Sequence, residues 1–154
     1  MTDEPMSAAT TGDLASRGTA QSLALGFETL EGACAMCAPF RADLVGDPAD
    51  GGLAGGVITT LLDQTCGMAV SFAMRALHPG GEMLQRFGTM ATLDFRIDFI
   101  RPARPGRDVV GEADCYSIAG GVAFVRGLAY EDDRDDPVAA AQAAFMLTEL
   151  PASA

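Results

Sequence analysis

Histidine, basic residues and long apolar runs are all scarce in this sequence of 154 residues. His78 is the only histidine, which argues against a Ser-His-Asp triad, a Cys-His pair or a histidine-rich metal site. Ten basic against 21 acidic residues give a net charge of −11, so nucleic acid is not an expected partner. No segment has the roughly 18 uninterrupted apolar residues of a membrane span, and no signal sequence is evident. We therefore expect a cytoplasmic protein without a membrane partner.

The four cysteines do not form a metal-binding pattern. Cys34 and Cys37 are a C-x-x-C pair, but there is no second pair and no nearby histidine, so no metal site is predicted. We interpret these two, with Cys66 and Cys115, as reduced thiols, and a redox role is the alternative. His78 is expected to face the carbonyls that end the preceding helix. Catalysis in this chain must rely on carboxylates, hydroxyls and backbone groups.

The segment from Leu53 to Leu77 carries the most informative pattern in the chain. After Gly55 and Gly56, apolar residues recur with helical spacing, which predicts a helix over residues 57–77. Its clearly polar side chains fall on one narrow arc, so most of the helix is expected to be buried. These polar residues are Thr60, Gln64, Ser71 and Arg75.

Asp63 lies outside this arc, on an apolar face of the predicted helix. A carboxylate there loses water unless it borders a cavity or a hydrogen-bond partner, which makes Asp63 a candidate site residue. A purely structural role, with Asp63 accepting hydrogen bonds from a loop, explains the position equally well. The glycines favour a site, because a ligand can approach the N–H groups at the helix start, where Gly56 could hold an oxyanion.

The rest of the chain predicts a single domain over residues 19–154, after a disordered tail at 1–18. A short helix at 21–30 and a strand at 40–45 are expected before the long helix, and a loop at 78–88 after it. Strands are expected at 89–100, 108–118 and 122–131, the last two joined by an Ala119-Gly120-Gly121 hairpin. The acidic residues 131–136 indicate a solvated turn. The alanine-rich segment 139–150 is interpreted as a final strand, although it could equally begin a helix.

Residues 89–100 alternate strictly between apolar and polar side chains. The apolar face, expected to cover the long helix, consists of Leu93, Phe95, Ile97 and Phe99. An α+β fold follows, in which an antiparallel sheet of about five to six strands curls around one helix. That helix is roughly 30 Å long, more than one small sheet encloses, so we expect a homo-oligomer.

Residues 54–63, read A-G-G-V-I-T-T-L-L-D, resemble the motif H-G-G-V-I-x-x-L-L-D of hotdog-fold acyl-CoA thioesterases of the phenylacetate-pathway type. In those enzymes the motif begins the central helix. The resemblance continues in order through residues 46–48, 66–70, 92–103 and 122–127, and it covers about residues 38–150. It implies a hotdog fold, in which a curved antiparallel sheet wraps a long central helix.

The resemblance also implies an acyl-CoA substrate, bound in clefts at the interface of a homodimer that pairs into a homotetramer. Coenzyme A enters as part of the substrate, and no separate cofactor is expected. Asp63 matches the catalytic acid, a general base on water or a nucleophile on the thioester carbonyl. Gly56 matches the glycine whose N–H meets the thioester oxygen, and Thr92 matches a position that helps to place the water. Expected substrate contacts are Ala54, Gly55 and Gln64.

The sequence departs from the family motif at two positions. Ala54 stands where the motif has histidine, and Pro48 where some relatives have asparagine. Loss of one hydrogen-bond donor is expected to slow hydrolysis by roughly one to three orders of magnitude. Three functions stay open: an acyl-CoA thioesterase, a non-catalytic acyl-CoA binding or regulatory protein, and a structural oligomer. Four arginines are either phosphate partners or plain surface charge, namely Arg101, Arg104, Arg107 and Arg126.

Overall fold

The computed structural model describes residues 18–30, 33–77 and 90–147. In these ranges the elements are α1 Gly18–Ser22, β1 Gly26–Leu30, β2 Ala33–Ala38, a 3-10 helix Ala42–Leu44, α2 Gly55–Leu77, β3 Met90–Phe99, β4 Val109–Ala119, β5 Val122–Tyr130 and β6 Ala139–Leu147. The strands form one antiparallel sheet in the order β1-β2-β4-β5-β6-β3. One long helix packed on a six-stranded antiparallel sheet is the predicted α+β hotdog fold.

Helix α2 is the core helix of the fold, and it packs mainly against β2, β4 and β5. Two glycines on the sheet let it approach closely. A Cβ on Gly111 would lie 2.8 Å from the Thr65 hydroxyl oxygen, and one on Gly127 would lie 3.2 Å from the Cys66 sulfur. By length and composition α2 could cross a membrane, but 61% of its most apolar stretch is buried in the fold. The predicted polar arc is wrong at Ser71, which is buried and donates to the Gly67 carbonyl.

Both predictions ahead of α2 are wrong in type or position. The predicted helix at 21–30 is the short α1 followed by β1, because the chain leaves the helix at Ala24, which has a left-handed φ of 54°. The predicted strand at 40–45 lies earlier, as β2. Both odd- and even-numbered residues of β2 are buried, so its sequence shows no alternation of apolar and polar residues that would reveal a strand. The N–H of Phe40 donates instead to the Asp108 carboxylate, at 2.6 Å.

Strand β3 lies at one edge of the sheet and pairs only with β6 among the described strands. Phe95 and Ile97 pack against the core as predicted. Leu93 is 54% exposed and does not cover α2 as expected, whereas Phe99, although 53% exposed, packs against the first residue of α2. Leu93 is the extra residue of a β-bulge between Thr92 and Asp94. Because of this bulge, the β3 residues that precede Leu93 point to the opposite faces from those that regular alternation would give. Thr92 consequently pairs with the inward-facing Phe145.

The second half of the sheet agrees with the sequence. Gly120 and Gly121 have φ of 58° and 77°, the left-handed conformations that a tight turn between β4 and β5 requires. The alanine-rich segment is strand β6, in which alternate residues are buried. Several predictions lie outside the described residues: most of the N-terminal tail (1–17), His78 with the loop to residue 88, and the end of the last predicted strand (148–150).

Candidate functional site

A cleft of about 180 Å³ opens at the N-terminus of α2. The loop that precedes α2 is held against the helix start by two backbone hydrogen bonds: the N–H of Ala54 donates to Leu44 O at 2.8 Å, and that of Gly46 donates to Gly52 O at 3.1 Å. Gly52 also packs directly on the carbonyl of Ala103, where a Cβ would overlap it. Glycine is therefore required at position 52 for the two walls of the cleft to meet.

Two predicted substrate contacts, Ala54 and Gly55, line this cleft. The opposite wall includes Phe99, whose ring would be 3.3 Å from a Cβ on Gly55. Sequence reasoning did not assign Phe99, Asp47 or Asp50 to a site, although residues 46–48 and 92–103 were part of the family resemblance. Arg101, which also lines the cleft, was interpreted either as a phosphate partner or as plain surface charge. A polar group that enters here meets exposed carboxylates, an apolar ring and the start of a helix.

Asp63 lies further along α2 and is half-buried, as its position outside the polar arc predicted. The hydroxyl of Thr92 on β3 donates to Asp63 Oδ1 at 3.4 Å. The structure thus brings together two residues that are 29 positions apart. Burial raises the pKa of the Asp63 carboxyl, and the hydrogen bond from Thr92 offsets part of that rise. A carboxylate with a raised pKa is a stronger base than an exposed aspartate.

Two buried thiols lie behind Asp63 in the core. Burial raises the pKa of Cys66 to about 12, and the nearby negative charge of Asp63 adds to the effect. Burial likewise raises the pKa of Cys34 to about 12, and its Sγ donates to the Thr65 carbonyl. Thiols with such high pKa values stay protonated at neutral pH and are poor nucleophiles or metal ligands. In the described ranges, no three His, Cys, Asp or Glu side chains cluster so as to hold a metal ion.

Gly56 is exposed in the first turn of α2, and a Cβ there would meet nothing within 4 Å. First-turn N–H groups have no acceptor within their own helix, so the Gly56 N–H is available to an anionic oxygen. Gly56 and Asp63 are two helical turns apart, about 10 Å at 1.5 Å per residue, and they face nearly the same direction. Gln64, the remaining predicted contact, is half-buried and lies outside the lining of the cleft.

A network of charges braces the wall of the cleft that contains Arg101. The Glu131 side chain is 1% exposed and accepts hydrogen bonds from Arg101 at 3.0 Å and from Arg104 at 2.7 Å. It also accepts from the backbone N–H of Arg104. Burial alone would raise the pKa of Glu131, but these donors outweigh it and hold the pKa below its usual value. The interpretation of residues 131–136 as a solvated turn is therefore wrong for Glu131.

Asp136 completes this network on its solvent side. It pairs with the Arg101 Nε at 3.0 Å and with Arg104 at 2.6 Å. Each of the two arginines thus contacts both carboxylates. The segment 101–104, which contributes to the cleft, is fixed to the end of β5 and to the β5–β6 turn by these bonds.

Comparison with known proteins agrees with the fold and the motif. Residues 50–138 match the thioesterase superfamily. A crystal structure from Pseudomonas aeruginosa has 35% sequence identity and a TM-score of 0.73, over 94% of this chain and 100% of that one. No curated protein matches the sequence.

More distant structures share the fold. A protein from Shewanella oneidensis related to the thioesterase superfamily has 20% identity and a TM-score of 0.79, over 95% of this chain and 100% of that one. A phenylacetic acid degradation-related protein from Ralstonia eutropha has 22% identity and a TM-score of 0.63, over 94% and 93% of the two chains. With the superfamily match covering more than half of the sequence, this chain belongs to the thioesterase superfamily.

Proposed function

We propose that this protein is an acyl-CoA thioesterase, which hydrolyses an acyl- or aryl-CoA to the free acid and coenzyme A. The observation that carries the proposal is the half-buried Asp63 carboxylate, hydrogen-bonded by Thr92, in a chain of the thioesterase superfamily. A burial-raised pKa suits a group that must take a proton from water near neutral pH. The protein is proposed to act in the cytoplasm without a cofactor, a membrane or a nucleic-acid partner.

In the proposed reaction Asp63 takes a proton from water, and the water oxygen attacks the thioester carbon. The carbonyl π electrons move to the oxygen, which accepts a hydrogen bond from the Gly56 N–H at the positive end of the α2 dipole. Thr92 helps to place the water. Collapse of this intermediate breaks the C–S bond, and the leaving thiolate takes the proton from Asp63. The alternative, direct attack by Asp63, forms an anhydride that water then hydrolyses.

The spacing on α2 favours one of these two routes. Direct attack needs Asp63 about 3 Å from a carbon whose oxygen lies about 3 Å from the Gly56 N–H. The two residues lie about 10 Å apart along the α2 axis, and the Asp63 side chain covers part of that distance. A water between the Asp63 carboxylate and the thioester carbon bridges the separation more readily than direct attack does, so the spacing favours the water-mediated route.

The edge of the sheet supports the proposal of a homodimer. Strand β3 has ten residues, and its outer edge has no partner among the described strands. Leu93, Phe99 and Ile100 on or just after it are each more than half exposed. Three charged residues are also exposed along β3, namely Asp94, Arg96 and Asp98. A long edge strand with unpaired backbone groups and exposed apolar side chains favours pairing with a second copy of itself. Such a dimer, itself paired into a homotetramer as proposed, carries a substrate cleft at each end of the subunit interface.

The reaction is tested by release of free thiol from a panel of short, medium, long and aryl acyl-CoAs. We expect release by the unmodified protein and a loss of about 10²–10⁴-fold in kcat for Asp63→Asn. Asp132→Asn, whose carboxylate forms an exposed pair with Arg107 away from β3, is the matched control. Circular dichroism checks that both variants fold. Equal rates for the protein and Asp63→Asn would refute the assigned base.

The backbone donor can be tested separately, because space is open beside Gly56. Gly56→Pro removes the N–H and is tolerated in the first turn of a helix, whereas Gly56→Ala keeps the N–H. We expect a loss of about 10²–10³-fold in kcat for the proline variant and a much smaller loss for the alanine variant. Similar losses in both variants would mean that the Gly56 N–H does not hold the oxyanion.

A non-catalytic acyl-CoA binding or regulatory protein is the second candidate, and Ala54 favours it. This residue lines the cleft at the helix start, where its methyl group offers no hydrogen bond to a thioester. Binding of acyl-CoA by calorimetry, with no thiol release from any member of the panel, would support this function. Thiol release that depends on Asp63 would exclude it.

A further inference from the structure

We infer that the protein recognises its thioester substrate through the acyl group and the uncharged pantetheine arm, and that the phosphates of coenzyme A add no favourable binding. This inference rests on the proposed thioesterase function. It predicts a substrate class wider than acyl-CoA: any thioester with a short, uncharged or weakly charged thiol arm. The argument comes from the state of the arginines and from the charge at the cleft.

Arg101, the only arginine among the described residues that line the cleft, has little capacity left for a phosphate. A guanidinium group has five N–H donors. Four of them are used: Nε donates to the Asp136 carboxylate, NH1 to Pro102 O, and NH2 to both Glu131 and Asp136 O. A bidentate grip on a phosphate needs two donors on one edge of the group. Arg101 therefore cannot provide it without breaking at least one of these four bonds.

The other arginines are also committed to carboxylates. Of the eight that the structure describes, seven form ion pairs, namely Arg41, Arg96, Arg101, Arg104, Arg107, Arg126 and Arg134. The eighth, Arg75, lies near the end of α2, roughly 30 Å from Gly55 at 1.5 Å per residue. The sequence contains no lysine that could replace them. Among the described residues, each positive charge near the cleft is thus largely neutralised within the fold.

The cleft itself is negative. Asp47 and Asp50 line it with exposed carboxylates, and the whole chain has a net charge of −11. Coenzyme A carries about four negative charges on its phosphates at neutral pH. Those charges are repelled by this surface at distances up to about a Debye length, roughly 10 Å at 0.1 M salt. An uncharged thiol arm avoids the repulsion, whereas the apolar Phe99 ring and the α2 N-terminus interact equally with both kinds of thioester.

The test compares one acyl group on coenzyme A, on pantetheine and on N-acetylcysteamine, using the unmodified protein and Asp63→Asn. We expect the acyl-pantetheine kcat/KM to equal or exceed that of the acyl-CoA. We also expect the acyl-CoA value to rise about threefold between roughly 0.02 and 0.3 M salt, while the acyl-pantetheine value stays level. An acyl-CoA preference of tenfold or more, or a rate that falls with salt, would overturn the inference and leave the thioesterase function standing.

If the unmodified protein hydrolyses none of the three thioesters faster than Asp63→Asn does, the proposed function and this inference are both overturned. A charge variant gives an independent measurement. Asp50→Asn removes one carboxylate from the cleft and should shift the ratio of acyl-CoA to acyl-pantetheine turnover about twofold towards acyl-CoA. Asp114, on β4, forms an exposed ion pair with Arg126. Asp114→Asn removes the same charge as Asp50→Asn and should leave the ratio of acyl-CoA to acyl-pantetheine turnover unchanged. Equal shifts in the two variants would contradict a local effect at the cleft.

Discussion

The carboxyl group of Asp63 is held where burial disfavours its charged form. Its pKa is raised in the folded protein, so the unfolded chain ionises first as the pH rises. Stability is consequently lost as the pH rises from the unfolded to the folded pKa, and the loss is complete above the folded pKa. The basicity proposed for catalysis and this cost in stability have the same physical origin.

Asp63→Asn should therefore melt at a higher temperature than the unmodified protein at neutral pH, since the amide is neutral in both states. The difference should shrink at about pH 3, below the usual carboxyl pKa, where Asp63 is neutral too. Thermal denaturation followed by circular dichroism at both pH values measures this. A variant that melts lower at neutral pH than the unmodified protein would show that Asp63 stabilises the fold.

The methyl group of Ala54 leaves the cleft without the donor that the family motif provides. Ala54→His should raise kcat by roughly tenfold or more, because an imidazole N–H at the cleft can reach the thioester oxygen. Ala54→Leu supplies bulk without a donor and serves as the control. The measurement is thiol release with the best substrate of the panel. An equal effect of both substitutions would point to cleft shape and not to hydrogen bonding.

The half-buried position of Asp63 could be predicted from the sequence, whereas the cleft could not. Asp63 was recognisable because one carboxylate interrupts an apolar helix face, a signal contained within a few turns. The walls of the cleft come from residues 46–55 and 99–103, which no local pattern connects. Glu131 was hidden for a related reason: its burial depends on Arg101 and Arg104, which lie about 30 positions earlier in the chain.

Among the structural elements, β4 and β5 follow from local chemistry, and β1 and β2 do not. The hairpin between β4 and β5 is encoded by adjacent glycines. The alanine-rich β6 could be interpreted as a strand only because a hairpin strand precedes it, and its alternate burial comes from the sheet. In contrast, odd- and even-numbered residues of β2 are both buried, so no local pattern marks this strand and its position depends on tertiary packing. Pairing with β1 and β4 decides where this strand lies.

The Glu131 network links the segment after β3 to the end of β5, and it should contribute strongly to stability. Glu131→Gln should lower the free energy of unfolding by about 2 kcal/mol, because Arg101 and Arg104 lose their buried charged acceptor and keep only Asp136 as a carboxylate partner. Urea denaturation measures the change. Asp132→Asn, which breaks the exposed pair with Arg107, should cost less than about 1 kcal/mol. Equal losses of unfolding free energy in Glu131→Gln and Asp132→Asn would mean that burial does not strengthen the ion pairs of Glu131.

The pH dependence of this contribution has the opposite sign to that of Asp63. The pKa of Glu131 is lowered in the folded protein, so its contribution is present above the unfolded pKa. It is lost as the pH falls through the folded value. The gap in stability between the protein and Glu131→Gln should close in acid.

The assembly is expected to decide whether the protein is active at all, since the exposed apolar residues lie along β3. Sedimentation should give a dimer or tetramer, and Leu93→Glu with Ile100→Glu should produce a monomer with little thiol release. Tyr116→Glu, on β4 and more than half exposed, should keep the dimer. A fully active monomer would contradict the proposed interface.

The bulge at Leu93 divides β3 into two stretches, and the inward-facing residues have even numbers before the bulge and odd numbers after it. After it, Phe95 and Ile97 point inward, and before it Thr92 does, although strict alternation would turn Thr92 outward. The contact between Thr92 and Asp63 therefore depends on the bulge, because Thr92 would face outward if Leu93 took a regular place in the ladder. Substitutions at Leu93 are expected to be tolerated within a subunit, and deleting this single residue would remove the bulge while leaving Thr92 on the inner face, in regular alternation with Phe95 and Ile97.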